Sequence, residues 1–284
     1  MATQLKGSEV TKAMKDKMTA QVEELKERGI TPTLAIVRLG EKPDDLAYER
    51  GAVKRCESVG VSCKVLEFPE DIREEKLVSE IETLNKDKNI HGILVFRPLP
   101  RHINEEKLKA VICPDKDVDC MSPVNIAKVF AGDESGFAPC TPEAVIELID
   151  HFGIPVEGKN VIVIGRSMVV GKPLSMLLLK KNATVTICHT RTRSIQDICK
   201  KAEILVAAAG RAKMVNRDFV MPGAVVIDVG INLDENGNLC GDVNFDDVAD
   251  IAGSITPVPG GVGTVTTSVL VKHVIQAAIK TVGK

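Results

Sequence analysis

The stretch Val161–Pro173, VIVIGRSMVVGKP, constrains this chain more than any other. A β-branched apolar run without polar interruption suits the buried middle of a parallel sheet, and it leads straight into Gly165. Gly171 then opens an amphipathic segment, so the stretch reads as strand, tight turn and helix. Glycines so placed let the backbone turn sharply and approach a phosphate, which the helix N-terminus holds with its free N–H groups and dipole. The implied ligand is a nucleotide; an ordinary α/β turn is the competing reading. Two familiar fingerprints do not fit. The dinucleotide motif needs a third glycine, and a P-loop needs four residues between its glycines, whereas five separate Gly165 from Gly171 and Lys172 is followed by Pro173.

Further strands are expected at Thr184–Cys188, Ile204–Ala208 and Val225–Val229, with helices at Pro173–Lys180 and Ser194–Ala202. That alternation predicts a doubly wound parallel sheet with the glycine turn after its first strand. An acid at the end of the second strand would bind the ribose hydroxyls of NAD. Here the chain reads His189-Thr190-Arg191-Thr192-Arg193, cations and hydroxyls that suit a 2′-phosphate, so NADP is favoured over NAD.

The first half predicts a helix capped by Ser8 and ended by Gly29, strands at Leu34–Leu39, Cys63–Phe68 and Gly92–Phe96, and helices at Asp44–Val59 and Glu75–Leu84. The Gly92 strand stops at Arg97-Pro98-Leu99-Pro100, a strand's carboxyl end, where open α/β sheets bind ligands. Tyr48, the one tyrosine, reads by itself as a packing residue with its hydroxyl at the surface. The carboxylates of Pro114–Asp119, PDKDVD, lie on a loop without the glycine and distal glutamate of a calcium site, and read as a solvated turn. Thr141 and Pro142 are placed as cap and first residue of a helix at a domain boundary. A proline- and glycine-rich loop, Ile255–Gly263, precedes a final helix expected at Ser268–Val282.

With 284 residues the chain has room for two domains, and 44% hydrophobic and 27% charged content is ordinary for a globular protein. A net charge of −2, no tryptophan and a single tyrosine argue against nucleic-acid or membrane binding. The 8 cysteines lack metal-ligand spacing and read as buried free thiols in a reducing compartment, with no metal site. No signal-peptide pattern opens the chain and no apolar stretch reaches the roughly 18 residues of a membrane span, so a cytoplasmic protein is expected.

Taken together, GRSMVVGKP, PDKDVD, PCTP, and DVGIN followed by ITPVPGGVG resemble the methylenetetrahydrofolate dehydrogenase/cyclohydrolase family, in order and over essentially the whole chain. The resemblance implies an α/β fold of two domains flanking a cleft: a Rossmann-type doubly wound parallel sheet, residues 142–267, for NAD(P), and an α/β folate-binding domain, residues 1–141 with 268–284. It further implies a homodimer and hydride transfer from 5,10-methylenetetrahydrofolate to NADP, which needs alignment and stabilisation of the cation formed but no general base. By similarity, Gly165, Arg166 and Ser167 would hold the cofactor phosphates. Thr190, Arg191 and Arg166 would lie near the 2′-phosphate, and Ile231 would meet the nicotinamide. Tyr48 would pack on the folate, overturning its bland reading, with Phe96 beside the substrate. Asp119 would bond the pterin, and Pro259, Gly260, Gly261, Val262 and Gly263 would border pterin and nicotinamide.

The departures from the family pattern matter too. Most members hydrolyse the methenyl product with a lysine four residues after the tyrosine, about 40° round a helix, partnered by a glutamine in a VQLPLP turn. Here those positions are Ala52 and Phe96, in VFRPLP. Lys54 lies six residues after Tyr48, about 240° round the helix, and should point away. Loss of both polar partners predicts a dehydrogenase with cyclohydrolase activity weak or absent. Rescue of hydrolysis by Arg97 or Lys54 ranks lower, since arginine is a poor proton shuttle. The alternatives are a bifunctional enzyme, a non-catalytic folate-binding protein and, more distantly, a P-loop phosphotransferase. Asp45, Cys120, Ala144 and Thr264 also depart from the pattern, where it has serine, glycine, glycine and proline.

Overall fold

The computed structural model describes residues 1–282. In chain order its elements begin with β1 (Thr3–Gln4), α1 (Gly7–Glu27), β2 (Thr33–Leu39), α2 (Pro43–Glu57), β3 (Ser62–Phe68), α3 (Glu74–Lys86) and β4 (Gly92–Val95). Next come α4 (Glu105–Val111), α5 (Pro123–Ala131), α6 (Cys140–His151), β5 (Asn160–Ile164), α7 (Gly171–Lys180), β6 (Thr184–Cys188) and α8 (Ile195–Cys199). The chain closes with β7 (Ile204–Ala207), β8 (Val225–Asp228), β9 (Asn232–Leu233), β10 (Leu239–Cys240), α9 (Phe245–Ala249), β11 (Ser254–Ile255) and α10 (Val262–Ile279). Two compact units result, one of residues 1–12 with 141–266, the other of residues 13–140 with 267–284.

The first unit is built on a six-stranded sheet of order β1-β11-β8-β7-β5-β6, with every pairing parallel. Its central strands are apolar because both faces are covered: Val161 to Ile164 and Ile204 to Ala207 are all buried. Ile162, Leu205, Val226 and Ile255 belong to one core that also takes in Val248 and Phe219. The second unit has a three-stranded parallel sheet of order β3-β2-β4. Ala35, Val37 and Ile93 pack there with Leu77, Ile81 and Leu108.

Several boundaries differ from the sequence reading, each for a physical reason. Residues 1–12, expected with the folate-binding half, belong to the first unit because Thr3 and Gln4 pair with Ser254 and Ile255. Ser8 and Thr141 are not caps; both lie inside helices. Helix α6 instead starts at Cys140, whose N–H donates to the Asp119 carboxylate at 3.0 Å, so a distant side chain does the cap's work. Helix α10 begins six residues before the expected Ser268, through Gly263 and five β-branched residues. Burial of Val262, Val265 and Val269 outweighs their poor helix propensity. With 18 residues and hydropathy 1.3 this helix is long and apolar enough to span a membrane, contrary to the sequence reading, but 61% of it is buried within the protein, as in a core helix. The cysteines are free thiols, Cys63 and Cys113 half-buried and the others buried.

Candidate active site

The parallel order β6-β5-β7 reverses direction at β5, and a crevice opens beyond the carboxyl ends of these strands. It holds a cavity of about 360 Å³ lined by Gly165, Arg166, Ser167, Thr190, Ala208 and Arg211, among others. Gly165 has φ +135°, and a Cβ there would run into the Ala208 carbonyl oxygen; one at Gly171 would run into that of Gly165. Both glycines are therefore demanded by close backbone packing within the protein, a different constraint from the phosphate approach expected of them. Between them, the Ser167 hydroxyl accepts from Val170 N–H and its carbonyl from Lys172 N–H, both at 3.0 Å. That leaves Arg166 and Ser167 exposed at the rim.

The loop after β6 is closed on itself. His189 N–H donates to Thr192 Oγ1 at 2.8 Å, and Arg191 N–H donates to His189 Nδ1 at 3.1 Å. Thr190 joins the cavity lining, whereas Arg191 is exposed outside it. Ile231 is also outside that lining, 66% exposed, with its Cδ1 3.5 Å from where a Cβ on Gly263 would stand. Pro259, Gly260 and Gly263 are exposed, while Gly261 and Val262 are buried.

In the other unit, Tyr48 projects from α2, half-buried, and its ring meets Phe96 edge-on at 5.7 Å between centroids. Burial above all, reinforced by Cys140, Asp119 and Cys56, pushes the Tyr48 phenol well above its ordinary range, so it stays neutral. Helix α2 is pinned by the buried Arg38 of β2, whose Nε lies 2.8 Å from Glu49 Oε2. The PDKDVD loop is no solvated turn. Asp117 is 1% exposed and accepts from Met121 N–H, Ser122 N–H and Asn125 Nδ2 at 2.8, 2.7 and 3.0 Å. Burial pushes its carboxyl upward. Asp119, fixed by this loop, accepts from Cys140 N–H through Oδ1, while its Oδ2 lies 3.5 Å from Arg97 Nη2. Cys120 sits at φ +57°, which explains why glycine is at home there in the family pattern.

Two family descriptions match these two sets of residues. Residues 5–119 fit "Tetrahydrofolate dehydrogenase/cyclohydrolase, catalytic domain", and residues 139–282 fit the NAD(P)-binding domain of the same family. The chain belongs to the tetrahydrofolate dehydrogenase/cyclohydrolase family. Among its relatives, the "Bifunctional protein FolD" of Clostridioides difficile is 55% identical over 273 residues, 96% of this chain and 95% of its own. The crystal structure of the bifunctional FolD of Campylobacter jejuni is 37% identical, covers 99% of both chains and superposes with a TM-score of 0.96. The Trypanosoma brucei dehydrogenase-cyclohydrolase, crystallised with NADP and an inhibitor, is 36% identical over 100% of this chain and 99% of its own, with a TM-score of 0.94.

Within this family member, Ala52 is fully buried one turn beyond Tyr48, and Lys54 is exposed. Two aspartates that the sequence reading assigned no role organise the loops around the cavity. Asp242, buried, accepts from the N–H groups of Ala209, Gly210 and Arg211 at 2.5, 3.0 and 2.7 Å, and from Asn232 Nδ2 at 3.0 Å. Asp228 accepts from Gly230, Asp242 and Val243 N–H at 2.9, 3.0 and 2.9 Å. Burial nevertheless pushes its carboxyl up to about 6. The signal in the sequence was the glycine beside each: a Cβ on Gly230 would strike Asp242, and one on Gly241 would strike Asp228.

Proposed function

We propose that this chain oxidises 5,10-methylenetetrahydrofolate with NADP, giving 5,10-methenyltetrahydrofolate by hydride transfer from the methylene carbon to C4 of the nicotinamide. The observation that carries the reading is the cavity beyond β5, where the glycine turn, Arg166, Ser167 and Thr190 line one space at the switch point of the sheet. The donor set fits the cofactor: hydroxyls and two guanidinium groups, of Arg166 and Arg211, line the cavity, and the residues after β6, His189 to Arg193, include no acid to repel a 2′-phosphate. The relative crystallised with NADP supports the same choice. When bound, NADP supplies the hydride acceptor; the chain's residues bind and orient the reactants. In this reading Gly165, Arg166 and Ser167 hold the cofactor phosphates, with Thr190 and Arg191 beside the 2′-phosphate. Ile231 and the Pro259–Gly263 segment border the nicotinamide, Tyr48 packs on the folate as a neutral phenol, and Asp119 bonds the pterin.

For the second step two observations pull in opposite directions. Relatives more than half identical over nearly the whole chain are named bifunctional, which favours hydrolysis of the methenyl product here as well. Asp119, close enough to Tyr48 to raise its phenol, is the polar side chain left for that step. The second reading, a dehydrogenase that leaves hydrolysis to another protein, rests on the apolar Ala52 and Phe96 where the family pattern has lysine and glutamine. One assay separates them: NADPH and methenyl product followed together, with purified protein, methylenetetrahydrofolate and NADP, at a pH where spontaneous hydrolysis is slow. NADPH outrunning the methenyl product beyond the blank supports hydrolysis, and one-for-one accumulation supports its loss. Folate binding without any NADPH would overturn the dehydrogenase itself.

A further inference from the structure

Arg97 follows directly on Phe96 at the carboxyl end of β4, and 22% of its side chain remains exposed. Its Nη2 lies 3.5 Å from Asp119 Oδ2 and its Nη1 3.9 Å from Glu105 Oε1, and Glu105 is itself held by Lys109 at 2.8 Å. These are loose contacts for a guanidinium. The buried Arg38 of the same unit reaches Glu49 at 2.8 Å, within the ordinary range of a charge-assisted bond. A guanidinium carries five N–H donors and a carboxylate about four acceptor sites, so both partners keep capacity for a ligand. Asp119 cannot turn away to use it, because Oδ1 is tied to the first N–H of α6, and 28% of its side chain stays open.

The pair therefore presents, side by side and partly open, an acceptor that cannot donate and a donor that cannot accept. The complementary ligand is a planar edge with an N–H donor next to a carbonyl acceptor, as in a cyclic amide or an amino-oxo-pyrimidine ring. We propose that Arg97 is a specificity-determining residue that works with Asp119: Asp119 takes the ring N–H and 2-amino donors, and Arg97 donates to the 4-oxo oxygen of the pterin. This rests on the folate reading above and deepens it. It also gives a function to a charge at the position where the VQLPLP pattern carries leucine.

The test compares dissociation constants, by calorimetry, of two substrate-sized pteridine probes, one 2-amino-4-oxo and one 2,4-diamino, in the wild type, R97L and R97K. The 4-amino group replaces an acceptor by a donor and leaves Arg97 facing it unpaired, and ring N3 loses the N–H that Asp119 takes, so the wild type should prefer the oxo probe by about tenfold or more. That preference should shrink severalfold in R97L, to the part that Asp119 sets through the ring N–H, and R97K, which keeps a donor without the planar fork, should fall between. An oxo preference as large in R97L as in the wild type overturns the assignment while leaving the folate reading intact. Equal weakening of both probes in R97L, or weakening that disappears when the glutamate tail is removed, overturns it too, since Arg97 would then act on Asp119 alone or on the tail. A wild type that binds neither probe overturns the folate reading and this one with it. NADP binding, measured on each variant, shows whether the protein is folded, and R97K carries the test if R97L is not.

Discussion

At the scale of single residues, the determinants are backbone space and buried charge. Gly165 combines a positive φ with a carbonyl oxygen where its Cβ would stand, so Gly165→Ala should cost at least about 2 kcal/mol, read as a lower urea midpoint, and weaken NADP binding. Asp228 has its carboxyl raised to about 6 from an ordinary value near 3.9. The folded state then keeps a proton that the unfolded chain releases between about pH 4 and 6. Stability due to this group is full at the acid end and falls as pH rises through that window, by up to about 3 kcal/mol. Urea unfolding of Asp228→Asn across the same range should show the difference, with a flatter dependence than the wild type; an identical slope would place the raised carboxyl elsewhere. Ala52→Lys with Phe96→Gln should raise hydrolysis of the methenyl product, at a stability cost of about 1–3 kcal/mol because Ala52 is fully buried. A folded double variant with no gain in hydrolysis would show that these two positions do not limit the second step.

At the scale of elements, what could be read from the chain was what is local. The strands β5, β7 and β8 are apolar because they are covered on both faces, and that leaves a direct mark in composition. The two-residue strands β1 and β11 leave none, since two hydrogen-bonded residues carry no periodicity, and their pairing is a property of distant segments. The start of α6 was misplaced for the same reason: the partner of its first N–H is Asp119, twenty-one residues upstream. Site residues divide along this line. Gly165, Arg166, Ser167 and Thr190, singled out from motif and strand order, line one cavity, whereas Asp242 acts through backbone amides thirty-one to thirty-three residues away. Asp242→Ala would leave three N–H groups of the β7 loop without their acceptor, costing about 3 kcal/mol or more, and should loosen NADP binding measured by calorimetry. Unchanged affinity would show that the loop holds its shape without the carboxylate.

At the scale of the whole molecule, neither unit is a single stretch of chain, because the boundaries fall at residues 12/13, 140/141 and 266/267. The second unit needs the C-terminal helix as part of its core. Val274 packs where a Cβ on Gly92 would lie 2.8 Å from it, and the His273 ring stands 2.8 Å from the Val118 carbonyl oxygen. Removing the chain from residue 267 onward should therefore do more than trim a terminus. The shortened protein is expected to lose cooperative unfolding and folate binding, and circular dichroism melts with calorimetry would show both. A shortened chain that melts cooperatively and still binds folate would show that the second unit completes its core without α10.

The pairing of Thr3 and Gln4 with Ser254 and Ile255 has a consequence for how the protein is made. A ribosome threads the first strand out long before its partner exists, and the β2-β3-β4 sheet is synthesised well ahead of the helix that covers Gly92. Through most of translation, then, neither unit can close, and the surface that α10 covers stays open until that helix has been made.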